Sequence, residues 1–234
     1  MFYGKMKALT FSYDDGTTQD KRLVELFNKY NVKATFHINS GLLGNPGELL
    51  REGVHVRHDK VQKEEVRALY AGHEIAAHTL THPNLINLDD AAVIKEVEED
   101  RLALSELAGY EVVGLSYPCG GHCYDERIKN LLKKHTGIKY SRTTNSTHSF
   151  DEQTDLLEFH PTVHHHAEFD KMIELGKAFL DAKPEQPMLF YVWGHGFEFD
   201  VYQNWDRFEA FLAMMANKDD IFYGTNKECL LENK

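Results

Sequence analysis

This chain of 234 residues is short of long apolar runs, basic tracts and cysteine pairs, and each shortage removes a class of protein. No stretch approaches the ~20 consecutive apolar residues that a membrane helix needs. The opening "MFYGKMKALTFSYDD" holds Lys5 and Lys7 but no apolar core of signal-peptide length. The expectation is therefore a cytoplasmic protein, or a secreted or cell-wall-associated one if a leader was trimmed away. Lys and Arg total 26 against 37 Asp and Glu, a formal charge of -11, and no basic stripe offers a landing surface for phosphates. Nucleic acid is excluded as the expected partner. Cys119, Cys123 and Cys229 are too few, and odd in number, for a disulfide scaffold, so free thiols are expected. No repeat, low-complexity tract or Pro/Gly/Ser linker marks a boundary, which leaves one domain over residues 1–234. Nothing in the sequence specifies an oligomeric state.

What is present is alternation. Runs of strand type at "KALTFSY", "KATFHIN", "HEIAAHT", "VVGLSYP", "KYSRTT", "MLFYVWGH" and "DIFYGT" are separated mostly by amphipathic stretches of helical period. One helix runs from a cap at Asp89 and Asp90, through Val93, Val97, Leu104 and Leu107, to a stop at Gly109. Another spans about Gln19 to Lys29 and turns Leu23, Leu26 and Phe27 inward. About seven parallel strands with intervening helices make an α/β protein, either an open doubly wound sheet or a (β/α) barrel lacking part of its wall. The stretch from Gly41 to Lys60 reads as a surface loop.

Polar residues gather where these strands end. Asp14 and Asp15 close the first run, His78 and His82 follow the third, Ser116 to Cys119 close the fourth, Arg142 lies in the fifth and His195 ends the sixth. Carboxyl ends of parallel strands face the ligand crevice, so these residues are expected to converge. In "HTLTHP" the histidines are four apart, and Pro83 pushes His82 out of helical dihedrals into an irregular turn. An isolated HxxxH is more often an ordinary pair of core or surface histidines than a ligand pair. With a third ligand the case changes: two imidazoles and the Asp15 carboxylate would hold a divalent cation and leave a position open, the pattern of catalytic zinc. Asp14, beside the cation without ligating it, would stay ionised and act as a base.

"FSYDDG", "HTLTHP" and "SYPCG", in that order, resemble the first three motifs of the NodB-type polysaccharide deacetylases, carbohydrate esterase family 4. The resemblance extends from about Lys7 to Thr225, with "GHEIAAHT" and "VWGH" in the expected places. It implies a distorted (β/α) barrel and hydrolysis of acetyl groups on amino sugars or xylan. It also implies a divalent metal on Asp15, His78 and His82, zinc first with cobalt, nickel or manganese as alternatives. By the family's pattern Asp14 is the catalytic base and His195 the general acid, while Tyr117, Pro118 and Cys119 line the substrate site. The main-chain N–H of Cys119 is then a candidate oxyanion donor, and Trp193 a wall of the acetyl pocket. The chain also departs from the pattern. Ser116 stands where the third motif carries an arginine, and Arg142 on the next strand is the candidate to pair with Asp14 in its place. The fourth motif has no counterpart, and Trp205 reads as helix core.

In "HPTVHHH" His164 is the candidate to line the substrate groove, with a solvated loop as the alternative, and Glu198 is a candidate contact for a sugar hydroxyl. "CGGHC" lacks metal-pair spacing and reads as free thiols. No GxSxG elbow or nucleophilic cysteine context is present, so direct attack of water, without an acyl-enzyme, is expected. The implied partner is an acetylated carbohydrate. Two other readings stay open: a hydrolase opening a cyclic amide or imide on the same scaffold, and a carbohydrate-binding relative without turnover.

Overall fold

A computed structural model of the protein describes residues 1–232. In chain order its elements are β1 (Lys7–Asp14), α1 (Asp20–Lys29), β2 (Ala34–Ile38), β3 (Glu48–Arg51), β4 (Val54–Arg57), α2 (Val66–Leu69), β5 (Glu74–Ala77), α3 (Asp90–Ala108), β6 (Gly114–Ser116) and α4 (Glu126–His135). They continue with β7 (Tyr140–Arg142), β8 (Val163–His164), α5 (Phe169–Asp181), β9 (Met188–His195), α6 (Glu198–Tyr202), α7 (Trp205–Met215), β10 (Ile221–Tyr223) and α8 (Asn226–Leu230). Parallel strands lie in the order β7-β6-β5-β2-β1-β9-β8 and curl into a half-barrel, the distorted (β/α) barrel expected of the family. The strand β10 pairs with Lys7 to Leu9, on the edge of β1 that β2 takes over from Phe11 onward. Between β7 and β8 an irregular segment completes the wall: Phe159 N donates to the Ser141 carbonyl and Thr143 N to the Phe159 carbonyl, both at 2.9 Å.

Strand β1 shows how the sequence builds this wall. All eight of its residues are buried, and their alternation sorts them between two cores. Leu9, Phe11 and Tyr13 face the helices, where Phe11 and Tyr13 pack against Phe27 of α1 and Phe208 of α7. Thr10, Ser12 and Asp14 face the barrel interior, which is polar. Thr10 donates to Asn226 Oδ1 at 2.8 Å, and Asn226 Nδ2 reaches the Tyr191 hydroxyl at 2.5 Å. Glu74 accepts from the hydroxyls of Thr35 and Tyr140 at 2.8 Å each. This lattice of buried hydrogen bonds fixes the strand ends on which the site is built.

The expected helix after Asp89 is α3: the Asp89 side chain accepts from Ala92 N at 2.8 Å, and Gly109 closes it with φ +79°. Two features were not expected. The two-residue strand β8 lies inside "HPTVHHH", too short to show a period. The stretch from Gly41 to Lys60, read as a loop, contains the antiparallel hairpin β3–β4. Glu52 (φ +50°) and Gly53 (φ +77°) form its two-residue turn, and Arg51 pairs with Val54. Its inner residues Leu49 and Val56 pack with Phe197 and Val201 in a small core separate from the barrel. Among the described residues no helix is long and apolar enough to cross a membrane.

Candidate active site

A turn in the backbone lets two adjacent carboxylates serve one cavity. Asp14 ends β1 with its side chain inside the barrel, in register with His37 on β2 and His195 on β9. Asp15 then leaves the strand at φ +82° and Gly16 follows at +61°, which swings the second carboxylate round to the first. A Cβ on Gly16 would also lie 2.7 Å from Cγ2 of Ile38. Lys60 braces the turn by donating Nζ to the Asp15 carbonyl at 2.7 Å, and His58 donates Nε2–H to Asp15 Oδ2 at 3.1 Å. Burial pushes the Asp15 carboxyl up, but the His58 hydrogen bond and the charge of Lys60 outweigh it and hold the group well below its usual range.

In "HTLTHP", Thr79 (φ +69°) and His82 (φ +61°) are both left-handed, so the segment is an irregular turn. Asp100, midway along α3, accepts from His78 N at 2.9 Å, and Asn39 Nδ2 donates to the carbonyls of His78 and Thr79 at 2.6 and 2.9 Å. From behind, His78 Nδ1 sits 2.9 Å from the Ser116 carbonyl, a pure acceptor, so Nδ1 carries the proton and Nε2 presents its lone pair. That Nε2 is buried without a hydrogen-bond partner. It lies 3.8 Å from Asp15 Oδ1, and His82 Nε2 lies 3.6 Å from the same oxygen. Ligands at 2.0–2.1 Å around a tetrahedral ion are ~3.3–3.4 Å apart, so each nitrogen is within a few tenths of an ångström of ligand spacing from Oδ1, and all three ligand atoms lie within 4.8 Å of one another. Burial pulls His78 down to about 4, which keeps it unprotonated at neutral pH. The orphaned nitrogen, its tautomer and the spacing all fit a divalent ion.

Asp14 stands outside that triplet. The Arg142 guanidinium pairs with Asp14 Oδ2, donates Nε to Ser12 Oγ at 3.1 Å and Nη1 to the Thr143 carbonyl at 2.9 Å, and stacks 4.2 Å from the Trp193 ring. Ser116 and Arg142 face each other in register on β6 and β7. Ser116 Oγ donates to Asp14 Oδ1 at 3.1 Å and lies 2.6 Å from His78 Nδ1, so one hydroxyl links the carboxylate to the imidazole. Burial raises the Asp14 pKa, but Arg142, then His78 and His37, bring it far below the usual carboxylate range.

His195, across the barrel mouth, is governed by Glu198 one helical turn on. Glu198 Oε2 lies 3.3 Å from His195 Nδ1, 3.0 Å from His165 Nε2 and 3.4 Å from His164 Nε2, and it accepts the His195 main-chain N–H at 2.9 Å. The rear of His164 sets its tautomer. His164 Nδ1 accepts from the N–H groups of His166 and Ala167 at 3.2 and 2.9 Å, so the proton sits on Nε2, facing Glu198. The three imidazoles thus surround one carboxylate oxygen at ion-pair distance, with the His164 N–H turned toward it, although His164, His195 and Glu198 have the spacing of a metal triplet. Burial pulls His195 down, but Glu198 and the two aspartates outweigh it and raise its pKa to about 9.

Residues 3–140 match the family model for polysaccharide deacetylase. The chain belongs to the polysaccharide deacetylase family. A peptidoglycan N-acetylglucosamine deacetylase of Bacillus cereus is 30% identical over 128 residues, 54% of this chain and 38% of that protein. One of Listeria monocytogenes is 25% identical over 117 residues, 49% of this chain and 22% of its own length. The chain thus spans well under two thirds of these curated relatives. Among solved structures, a Mycobacterium smegmatis protein assigned to the polysaccharide deacetylases superposes with a TM-score of 0.69 at 18% identity, over 97% of this chain and 89% of that one. The family 4 carbohydrate esterase of Streptomyces lividans, solved with acetate, gives 0.58 at 14% identity, over 97% and 95%. At those identities the likeness is one of fold.

In this polysaccharide deacetylase family member the strand ends open into a cleft of about 630 Å3, lined at its floor by Asp14, Asp15, His78, His82 and His195. Trp193 and Tyr117 line it too, although Trp193 is also the platform under Arg142, and the Tyr117 hydroxyl donates to the Leu157 carbonyl at 2.7 Å. Cys119 lines the cleft at φ +68°, its Sγ 4.0 Å from His82 Nδ1. Pro118 and His164 are not among the lining residues. His164, expected in the substrate groove, sits behind Glu198, because the main-chain N–H groups ahead of α5 capture its ring. Glu198 lines the cleft, and its Oε2 is the oxygen that faces the three histidines. The outer wall, formed by Leu49, Arg51 and Glu52 of the hairpin with Val201 and Tyr202 of α6, was not foreseen. Nor were His58 and Lys60: no periodicity or motif signals a residue whose importance is conferred by a hairpin folding back.

Proposed function

We propose that the protein is a divalent-metal-dependent hydrolase that removes acetyl groups, N-acetyl foremost, from a carbohydrate. The observation that carries the reading is the division of labour between the two aspartates: Asp15 shares Oδ1 with two histidine nitrogens, while Asp14, next in sequence, is held ionised by Arg142 outside the triplet. Zinc suits two imidazoles and a carboxylate best, with cobalt, nickel or manganese as substitutes. Asp15, His78 and His82 would hold the ion, which when bound lowers the pKa of a water and polarises the acetyl carbonyl. Asp14, its Oδ1 held by Ser116 and its Oδ2 by Arg142, then takes the proton of the attacking water. His195 starts protonated, its Nδ1 paired with the Glu198 carboxylate at 3.3 Å, and delivers the Nε2 proton to the departing amine, which cannot leave as an anion. Cys119 lines the cleft, its N–H makes no bond to a main-chain acceptor among the described residues, and that N–H is our candidate donor to the oxyanion.

The relatives support an amino-sugar substrate, since both named here are peptidoglycan N-acetylglucosamine deacetylases. The reading of a binding protein without turnover drew on the missing third-motif arginine, and the Arg142–Asp14 pair removes that ground. The test is acetate release from N-acetylglucosamine oligomers and from acetylated xylan, with metal content measured on the same sample. Metal with released acetate is the expected result. Ring opening of a cyclic amide, or sugar binding without acetate, would replace the proposal.

A further inference from the structure

The two oxygens of Asp15 face different partners. Oδ1 looks toward His78 Nε2 and His82 Nε2, at 3.8 and 3.6 Å. Oδ2 looks away from them, to His58 Nε2 at 3.1 Å. His58 is not a member of the triplet that could grip an ion. It comes from the foot of the β3–β4 hairpin, outside every recognised motif, and its own position is strongly determined. His58 N donates to the Gly47 carbonyl at 2.8 Å, and a Cβ on Gly47 would lie 2.6 Å from the His58 carbonyl. The next residue, Asp59, accepts from Gly47 N at 3.0 Å and takes both Nε and Nη2 of Arg57 at 2.8 Å. The His58 ring stands edge-on to Phe197, with centroids 5.1 Å apart. The strand foot, the turn at Gly47 and an aromatic from the β9–α6 junction thus aim one imidazole N–H at one carboxylate oxygen.

We propose that His58 is a positioning residue for the metal site: by occupying Oδ2 it holds Asp15 to one-oxygen ligation through Oδ1. This rests on the metal reading given above. A carboxylate with both oxygens free can rotate to chelate an ion and take up the coordination position that the reaction needs open. A hydrogen bond to the outer oxygen opposes that rotation and lowers the entropy lost when the ligand is fixed. Lys60 fixes the main chain with its Nζ on the Asp15 carbonyl and stands at ion-pair distance, 3.6 Å, from Oδ1, so the hydrogen bond on Oδ2 falls to His58.

The experiment compares His58→Leu, which removes the donor, with His58→Gln, whose amide nitrogen falls near the place of Nε2. Zinc affinity of the metal-free protein is read by competition with a chromophoric chelator. The geometry is read from the visible spectrum of the cobalt(II) form, whose intensity drops as coordination rises above four. Leu is expected to weaken zinc binding by about 10- to 100-fold and to dim the cobalt bands, with Gln restoring both to near wild type and thermal unfolding of the metal-free proteins unchanged. Wild-type affinity and spectrum in the Leu variant overturn the proposal. Equal losses in Leu and Gln overturn it as well, since a ligand or a packing residue would behave that way. Wild-type protein that binds no zinc overturns the metal reading itself, a failure visible before any variant is made.

Discussion

At the scale of single residues, charge placement decides the chemistry. Arg142 is fully buried against Asp14, so its replacement by Met leaves a buried carboxylate without its counterion. Breaking a buried pair in this way costs ~3–5 kcal/mol and forces the remaining group toward its neutral form. Arg142→Met should lower kcat by ~100-fold or more, the scale of general-base catalysis, while metal per chain stays at the wild-type value by elemental analysis. Glu198 acts on the other limb of the pH profile. His195 must be protonated to act as an acid, so activity is lost as pH rises through its pKa, raised to about 9 in the absence of a bound cation. The dication pulls that value back down, and loss of Glu198 pulls it further. Glu198→Gln should therefore move the alkaline limb of kcat/KM to lower pH by ~1 unit or more, leaving the acid limb in place. The linkage to stability has the same sign: a histidine whose folded pKa is raised contributes stability below pH ~6.5 that is lost as pH climbs through the folded value.

At the scale of elements, the hairpin β3–β4 extends the cleft beyond the reacting groups. Its tip offers Arg51 and Glu52 to the cavity from outside the barrel, whereas Asp14, Asp15, His78 and His82 lie at the barrel's own strand ends. Replacing residues 49–56 by a short Gly/Ser turn, with Gly47 and His58 kept, should raise KM for N-acetylglucosamine oligomers by ~10-fold. Turnover of a small acetylated glycoside should change by no more than ~2-fold, both followed by acetate release. The hairpin also marks where reading the sequence stops. Strand β1, with its apolar face and its Thr10, Ser12 and Asp14 face, declares itself through a period of two, and α3 through Asp89 and Gly109. "ELLREGVHVR" has the Glu52–Gly53 turn signal in plain view, but only the arm Val54–Arg57 alternates, while Glu48–Arg51 places two leucines side by side over a core of only a few side chains. The aspartates and motif histidines were legible because strand ends converge by topology. His58, the inward role of Glu198 and the retreat of His164 behind it depend on loop conformations that no pattern in the sequence encodes.

At the scale of the whole molecule, the site is a junction of segments from Asp14 to Glu198, and a cation there would tie them together. Asp15 follows β1, His78 and His82 follow β5, and Asp100 of α3 and Ser116 of β6 hold His78 from behind. A ligand that binds only the folded state stabilises it by ~2.7 kcal/mol at a hundred times its Kd. For a chain of this size that is ~5–10 °C in Tm. Dialysis against a chelator should lower the melting temperature by that amount, and zinc should restore it, both followed by calorimetry. His78→Ala should melt at one temperature with or without zinc.

Ser116 and Arg142 stand opposite one another on neighbouring strands, and both reach Asp14. Two positions on neighbouring strands thus reach the same carboxylate, and a transposed protein, Ser116→Arg with Arg142→Ser, should regain part of the turnover that either change alone lowers. A fingerprint that demands arginine at position 116 would overlook a chain that carries its counterion one strand to the side.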